Sequence, residues 1–350
     1  MKIFHSDDHR LHDPAGELFG GLLVPPHESP RRVDMILDRL RLETLGEVLA
    51  PEAFGIEPVR RVHDDGFLAF LQGIWGEWKA IGYEGDVIPT IWPSRRLGVL
   101  RLPEHPDGKV GYYALAGETA IAEGTWRAAR ASVDVALSAQ KAVAGGDRLS
   151  FALCRPPGHH AAGDMYGGFC FLNNAAIVAQ AFRDQGRARV AVLDVDFHHG
   201  NGTQEIFYRR GDVFYASLHG HPLDAFPHFL GYADETGEGP GEGCNANYPL
   251  RAGTDFGRWA EALDDARRRI AGFGAEALVV SLGVDTYKDD PISSFLLDSP
   301  DYLTIGARIA ALGLPTVMVM EGGYAVEDIG VNVANVLKGF LDAANAGGAS

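Results

Sequence analysis

Short, wholly apolar runs recur through the second half of this chain, at Leu149–Cys154, Val190–Leu193, Val213–Leu218, Ala277–Leu282 and Thr316–Met320. Helical patterns near residues 174–185, 255–271 and 301–312 separate them. Strands that are apolar throughout, rather than alternating with polar residues, are buried on both faces. Strand, helix, strand, helix in that order therefore means an α/β protein with a parallel sheet covered on both sides. Upstream, "ESPRRVDMILDRLRL" opens at Ser29 and Pro30 and sets Val33, Ile36, Leu37 and Leu40 on one face, an amphipathic helix. A second helix is expected from about Trp126 to Ala144, stopped by Gly145-Gly146.

In open sheets of this kind, ligands bind just beyond the carboxyl ends of the strands. The five runs are followed in turn by "RPPGHH", "DVDFHHG", "HGHP", "GVDTY" and "EGGY", so histidines, carboxylates and a tyrosine collect at one rim. Charged groups are expensive to bury unless they are paired or bound to a metal. Side chains alternate along an extended segment, which turns Asp194, Asp196 and His198 one way and Val195, Phe197 and His199 the other. Asp196 and His198 can then converge on one cation. A catalytic zinc-type site needs a third protein ligand and an open position, and Asp285 after "LVVSLGVD" supplies that ligand. This donor set is harder than three histidines and suits Fe(II), Co(II) or Mn(II) as well as Zn(II).

His159 and His160 follow two prolines that stiffen their approach. One can hold a proton near an activated water while the other supplies positive charge or orients substrate. Each needs a partner for its second ring nitrogen, and Asp194 and Asn201 both stand at the rim. Tyr324 follows the last run, where its hydroxyl can donate to a developing oxyanion. The glycines before it are expected to leave it mobile. His199 is expected to be structural. "GEGPGEG" at 237–243 is acidic and lacks the lysine of a phosphate loop, and nothing activates Cys154 as a nucleophile.

A net charge of −16 argues against a nucleic-acid partner and admits a cationic ligand. No apolar run is long enough to span a membrane and the first residues lack a signal-peptide core. Three scattered cysteines, Cys154, Cys170 and Cys244, suit a reducing compartment, and a cytoplasmic location is expected. No linker or repeat divides the chain. One domain is expected over residues 1–345, with a flexible tail at 346–350. The stretch from about 74 to 108, rich in tryptophan and proline with weak periodicity, is expected to be an inserted loop region.

With "RPPGHH", "DVDFHHGNGT", "SLGVD" and "EGGY" in this order, the chain resembles the metal-dependent deacetylases of the histone deacetylase superfamily. Within them it is most similar to the acetylpolyamine amidohydrolases, also through "GGLLVPPHESPRR", "GYYALAGETAI" and "AFPHFLGYADETG". The resemblance implies an arginase/deacetylase-like fold, a single α/β domain with an eight-stranded parallel sheet flanked by helices on both faces. It implies one zinc ion held by Asp196, His198 and Asp285, with Tyr324 as oxyanion donor. It makes His160 the general base and then acid, and His159 its electrostatic partner, paired with Asp194. Asn201 stands where some relatives carry an aspartate beside the His160 counterpart, which lowers the basicity expected of His160.

The same resemblance implies a structural potassium ion near Asp194, with the backbones of Asp196, His198, Ser217 and Leu218 beside it. It makes Phe169 and Phe226 tunnel walls, and gives Glu17, Asp107 and Glu118 the distal ammonium groups of a polyamine. Asp107 stands where a glutamate is expected, one methylene short. It also implies a homodimer joined through the inserted loop, which narrows the entrance. The expected activity is hydrolysis of acetylated polyamines or diamines to acetate and free amine. Deacetylation of acetyl-lysine peptides, a two-metal ureohydrolase-like reaction and non-catalytic binding of acetylated amines are the alternatives.

Overall fold

The computed structural model describes residues 1–93 and 101–347. Its strands are β1 (Lys2–Phe4), β2 (Glu17–Phe19), β3 (Leu22–Val24), β4 (Glu47–Leu49), β5 (Leu149–Ala152), β6 (Val190–Asp194), β7 (Val213–Gly220), β8 (Asn245–Leu250), β9 (Ala277–Leu282) and β10 (Thr316–Met320). Eight of them form one parallel sheet in the order β4-β1-β5-β10-β9-β6-β7-β8, while β2 and β3 pair as a separate antiparallel hairpin. All five apolar runs are strands of the sheet, as their composition predicts. This is the expected eight-stranded α/β fold.

The helices are α1 (Arg31–Leu42), α2 (Glu57–Arg60), α3 (Asp65–Ala80), α4 (Pro106–Tyr113), α5 (Thr125–Ala144), α6 (Asn174–Asp184), α7 (Asn201–Phe207), α8 (Phe256–Phe273), α9 (Asp301–Ala310) and α10 (Val326–Gly347). They cover both faces of the sheet, and the period of two along each strand sorts its residues between two cores. Ala191, Leu193, Leu278, Val280, Met318 and Met320 pack on one side with α1, α8, α9 and α10. Val190, Val192, Ala277, Val279, Val317 and Val319 pack on the other with α5 and α6. Each fully buried valine, leucine or methionine among them contributes about 1.5–3 kcal/mol. The sheet is accordingly a rigid platform for the loops at its carboxyl edge.

Three strands escape a reading by apolar runs. β1 and β4 are three residues each, too short to register, and β8 carries Asn245 and Asn247. β8 lies at the sheet edge, where both asparagines donate to Gln204 Oε1 at 3.0 and 2.8 Å. The loop region expected from 74 begins later. Residues 74–80 complete α3 with Ile74 and Trp78 buried, and residues 106–108 open α4. Val87 and Ile121 exchange backbone hydrogen bonds at 3.0 Å. Part of that expected loop, residues 94–100, lies outside the described residues, as do residues 348–350 of the expected tail. Residues 346 and 347 are not tail but the last residues of α10. Among the described residues, no helix is long and apolar enough to cross a membrane.

Candidate active site

β6 ends at Asp194, and the chain then bends through residues 196–198 instead of running on extended. The bend brings Asp196 and His198 to Asp285, which follows β9, so that one ligand atom from each lies within 4.8 Å of the others. His198 Nδ1 is 3.0 Å from Asp285 Oδ2 and 3.3 Å from Asp196 Oδ1. Backbone amides complete the carboxylates. His198 N–H donates to Asp196 Oδ1 at 2.8 Å, Gly322 N–H to Asp196 Oδ2 at 2.8 Å, and Phe197 N–H to Asp285 Oδ1 at 2.7 Å. The bend also corrects the simple alternation: Phe197 does not turn away from His198, and both line the same cavity.

The charge balance of this group fits a divalent cation. Burial and then the charge of Asp196 push the Asp285 carboxyl up to about 8. Burial opposes a charge on His198, but its hydrogen bonds to Asp196 and Asp285 outweigh it and raise the ring to about 10. A proton on His198 thus sits where two carboxylates converge. Two carboxylates and an imidazole nitrogen, largely buried, are a donor set that a zinc-type ion satisfies. A second buried group joins His159 to Cys170 and Glu321, and burial raises the Cys170 thiol well above its ordinary range.

The "RPPGHH" segment follows β5. His159 Nδ1–H donates to Asp194 Oδ2 at 3.0 Å, and Tyr215 Oη–H donates to the same oxygen at 3.0 Å. Burial would lower the His159 ring, but Asp196 and Asp194 outweigh it and raise it to about 10. His160 Nδ1 lies 2.7 Å from Asn201 Oδ1, and Asn201 Nδ2 donates to the His160 carbonyl at 3.2 Å. The second bond orients the amide. Oδ1 therefore faces His160 Nδ1–H, leaving Nε2 with the lone pair. Burial, then the cationic His159 and His198, hold His160 well below its ordinary value. His199 points elsewhere, against His219 with ring centroids 4.5 Å apart, and Nε2–H donates to Gln204 Oε1 at 3.0 Å.

His160, His198 and Tyr324 line one cavity of about 260 Å³ together with Phe169 and Phe226. The Phe226 ring stands edge-on to His160 at 5.0 Å, and the Phe169 ring stands 5.6 Å from that of Tyr324. Phe169 has φ +65°, a conformation a phenylalanine adopts only when held. Thr119 Oγ1 accepts the Phe169 N–H at 2.8 Å and Glu118 Oε1 accepts the Gly168 N–H at 2.9 Å. Glu17 and Glu118 line the same cavity, as do Leu18 and Phe19 of the hairpin. Asp107 is not among the lining residues. It stands on the first turn of α4 and accepts the Tyr83 hydroxyl at 3.1 Å.

The glycines before Tyr324 serve close approach rather than mobility. A Cβ on Gly322 would lie 2.5 Å from Asp285 Oδ2 and 2.6 Å from Asp196 Oδ2. Tyr324 is instead fixed, because Asp290 Oδ2 accepts its N–H at 2.7 Å and that of Ala325 at 3.2 Å. Arg32 braces the same turn, donating to the Gly323 carbonyl at 2.6 Å and the Glu321 carbonyl at 2.5 Å, with its guanidinium carbon 4.9 Å from the Tyr324 ring centre. Glu28 accepts from Arg32 at 2.7 Å and from Arg155 at 2.8 Å, so three buried charges interlock. Burial keeps the Tyr324 phenol well above its ordinary value, and it remains a donor. Sequence reasoning passed over Arg32, Glu28 and Asp290. Asp290 follows Asp285 by five residues beside another aspartate, a weak signal, and Arg32 sits on an ordinary amphipathic helix. For the implied potassium site, Asp194 pairs in register with Ser217 of β7, which places them side by side.

Residues 26–340 match the family model described as the histone deacetylase domain. The chain is 59% identical to acetylpolyamine amidohydrolase 1 of Pseudomonas aeruginosa over 347 residues, covering 98% of this chain and all of that protein. It is 56% identical to the acetylpolyamine amidohydrolase of Mycoplana ramosa, covering 97% and 99%. The crystal structure of an acetylpolyamine aminohydrolase from Burkholderia pseudomallei superposes with a TM-score of 0.93 at 41% identity, covering 98% of this chain and 99% of the other.

Proposed function

The chain belongs to the histone deacetylase domain family, and from that premise we propose that it is a zinc-dependent amidohydrolase acting on acetylated polyamines or diamines. The observation that carries this reading is a single cavity that His160, His198 and Tyr324 share with the carboxylates Glu17 and Glu118. Aromatic walls at Phe169 and Phe226 suit a slender chain, and the two carboxylates suit a cation on it.

Asp196, His198 and Asp285 would hold the metal. When bound, it supplies Lewis acidity and lowers the pKa of a water from about 16 to about 7. His160 Nε2 takes the proton of the attacking water, its tautomer fixed by Asn201. The Tyr324 hydroxyl donates to the oxyanion that forms as water adds to the acetyl carbonyl, a contribution of about 3–4 kcal/mol for one such donor. His160 then returns the proton to the leaving nitrogen as the C–N bond breaks, giving acetate and free amine. His159, charged beside Asp194, adds a fixed positive field.

Asp194 beside Ser217 supports the potassium site with the backbones of Asp196, His198 and Leu218. Exposed Leu18, Phe19, Leu22 and Leu23 of the hairpin and Ile91 and Trp92 of the loop region support a homodimer that includes the loop region, which the mass in solution tests. The unpaired cysteines support a cytoplasmic location.

The decisive experiment measures acetate release from acetylated diamines, polyamines and lysine peptides, with metal content on the same sample. Free acetylated amines are expected to turn over fastest, with one zinc per chain beyond any alkali cation. Asp285→Ala is expected to lose metal and activity together, and Tyr324→Phe to keep metal while losing about 10²- to 10³-fold in kcat. Faster turnover of lysine peptides contradicts the substrate class. Two divalent ions per chain would favour the ureohydrolase-like alternative, and full turnover by Tyr324→Phe would remove its role.

A further inference from the structure

The "HGHP" segment at the end of β7 takes no part in the chemistry above, yet its first histidine, His219, is fully buried. His219 Nε2 lies 2.8 Å from the Gly231 carbonyl oxygen, and Nδ1 lies 2.8 Å from Ser217 Oγ. A carbonyl only accepts, so Nε2 carries the proton. Burial pulls the ring down to about 4 and keeps it neutral, so Nδ1 accepts the Ser217 hydroxyl. Gly231 is seated against the ring as well as bonded to it. Its φ is +101°, and a Cβ there would lie 2.9 Å from His219 Nε2 and 2.8 Å from Cγ of His199, whose ring packs on that of His219. From the other side, Glu235 Oε2 accepts the Gly231 N–H at 2.9 Å and a Gln204 Nε2–H at 2.6 Å. Gly231 closes a loop that leaves β7 at Gly220 and carries Phe226, a wall of the cavity. Before Phe226 the sheet holds this loop, through the His221 N–H to the Leu250 carbonyl at 2.7 Å and through buried Ala225. After it, Phe229 is 87% exposed, and the hydrogen bonds of residues 227–229 go to other residues of the loop. Gly231 is where the chain is fastened again.

We propose that His219 is a positioning residue for the cavity wall: through the Gly231 carbonyl it fixes the loop that holds Phe226 beside His160. The consequence for substrate rests on the acylated-amine reading above, whereas the hold on the loop is a property of the fold alone. Asp196, His198, Asp285, His160 and Tyr324 all follow other strands, so releasing Gly231 leaves them in place. What changes is the fraction of molecules whose Phe226 wall is formed before substrate arrives. A substrate that must order the loop binds more weakly by that fraction and, once bound, reacts at the ordinary rate. Loss of the His219 donor therefore raises KM and spares kcat.

Two measurements on the metal-loaded protein test this: amide hydrogen exchange across residues 221–235, and KM against kcat for an acetylated diamine. His219→Phe keeps a ring but removes the donor. It is expected to speed exchange in the loop ~10-fold and to raise KM ~10-fold, the order of one buried hydrogen bond lost, with kcat within about twofold and metal content unchanged. His219→Gln, which keeps an N–H donor, is expected to stay within about threefold of wild type in both. Glu235→Ala frees Gly231 from the opposite side without touching Ser217 and, on a half-buried loop residue, serves if His219→Phe does not fold. It is expected to move exchange and KM in the same direction. Wild-type exchange in folded His219→Phe, or in Glu235→Ala should that variant fail to fold, overturns the hold on the loop. Faster exchange with KM unmoved, or a fall in kcat at constant KM, overturns the positioning of the wall. No turnover of acetylated diamines by the wild type overturns the substrate reading alone, and exchange then still decides whether His219 holds the loop.

Discussion

Asn201 fixes the tautomer of His160. A neutral amide accepts from His160 Nδ1–H at 2.7 Å, so the ring gains orientation without an anionic partner. Asn201→Asp would replace that acceptor with a carboxylate, which favours the imidazolium and raises the His160 pKa. A general base must be unprotonated to act, so raising its pKa moves the acid limb of kcat/KM to higher pH. With an uncharged acetylated amine as substrate, that upward shift is the expected outcome, and a limb that stays in place would show that His160 is not the base. Much of this residue-level picture was legible from the chain. Asp196, His198, Asp285, His159, His160 and Tyr324 follow apolar strands, and strand ends are where a parallel sheet collects its chemistry. Phe197 was misread, because alternation holds only while the backbone stays extended and β6 stops at Asp194. Arg32 and Asp290 were invisible for a different reason: both act through backbone atoms of a turn distant in sequence, and no spacing records such a contact.

At the scale of elements, the turn after β10 is held as tightly as the strand before it. Gly322 N–H donates to Asp196, and its Cα approaches two buried carboxylates that have nowhere to move. Gly322→Ala is expected to leave the fold intact, because the strand cores are untouched, but to push the carboxylates apart. Loss of supporting contacts around a metal ligand set typically costs about 10- to 100-fold in affinity. Metal titration alongside circular dichroism checks this, and wild-type affinity in a folded Gly322→Ala protein would contradict it. The elements themselves were readable in proportion to their hydrophobic signal. β9 and β10 begin and end where the apolar runs do. β1 and β4 are too short to leave a pattern, and β8 is an edge strand whose asparagines serve Gln204 instead of the core.

For the whole molecule, histidines that are buried neutral lower stability in acid. They are opposed by the buried carboxyls of Asp285 and Glu321, which burial raises to about 8 and about 7. Burial pulls His12 down to about 3, and His63 and His219 to about 4. His63 shows why. Its Nδ1–H donates to the Ala162 carbonyl while Nε2 accepts the Asn173 N–H, both at 2.9 Å, so a second proton would break one bond. Unfolded, these rings bind protons below about 6.5, while the folded chain refuses them until about pH 4. The unfolded state thus holds more protons across that window, and stability falls as pH drops from 6.5 towards 4, by about 1.4 kcal/mol per pH unit for each ring. Glu28, which burial would raise but Arg155 and Arg32 hold down to about 2, loses its contribution only below about pH 4.5. Thermal melts of Asp285→Ala, expected to carry no metal, separate this loss from metal release, and a melting temperature flat from pH 7 to 5 would contradict it. The strand order has a consequence for synthesis. β10 lies between β5 and β9, so until residues 316–320 emerge the sheet exists as two halves. One half, β4-β1-β5, leads into His159 and His160; the other, β9-β6-β7-β8, leads into Asp196, His198 and Asp285, and Tyr324 follows β10 itself. The last strand to be made is therefore the one that joins the strands leading into the proton-transfer groups to those leading into the metal ligands. Outside the sheet, α5 and α6 with the His159–Asp194 and His160–Asn201 contacts link the same two groups.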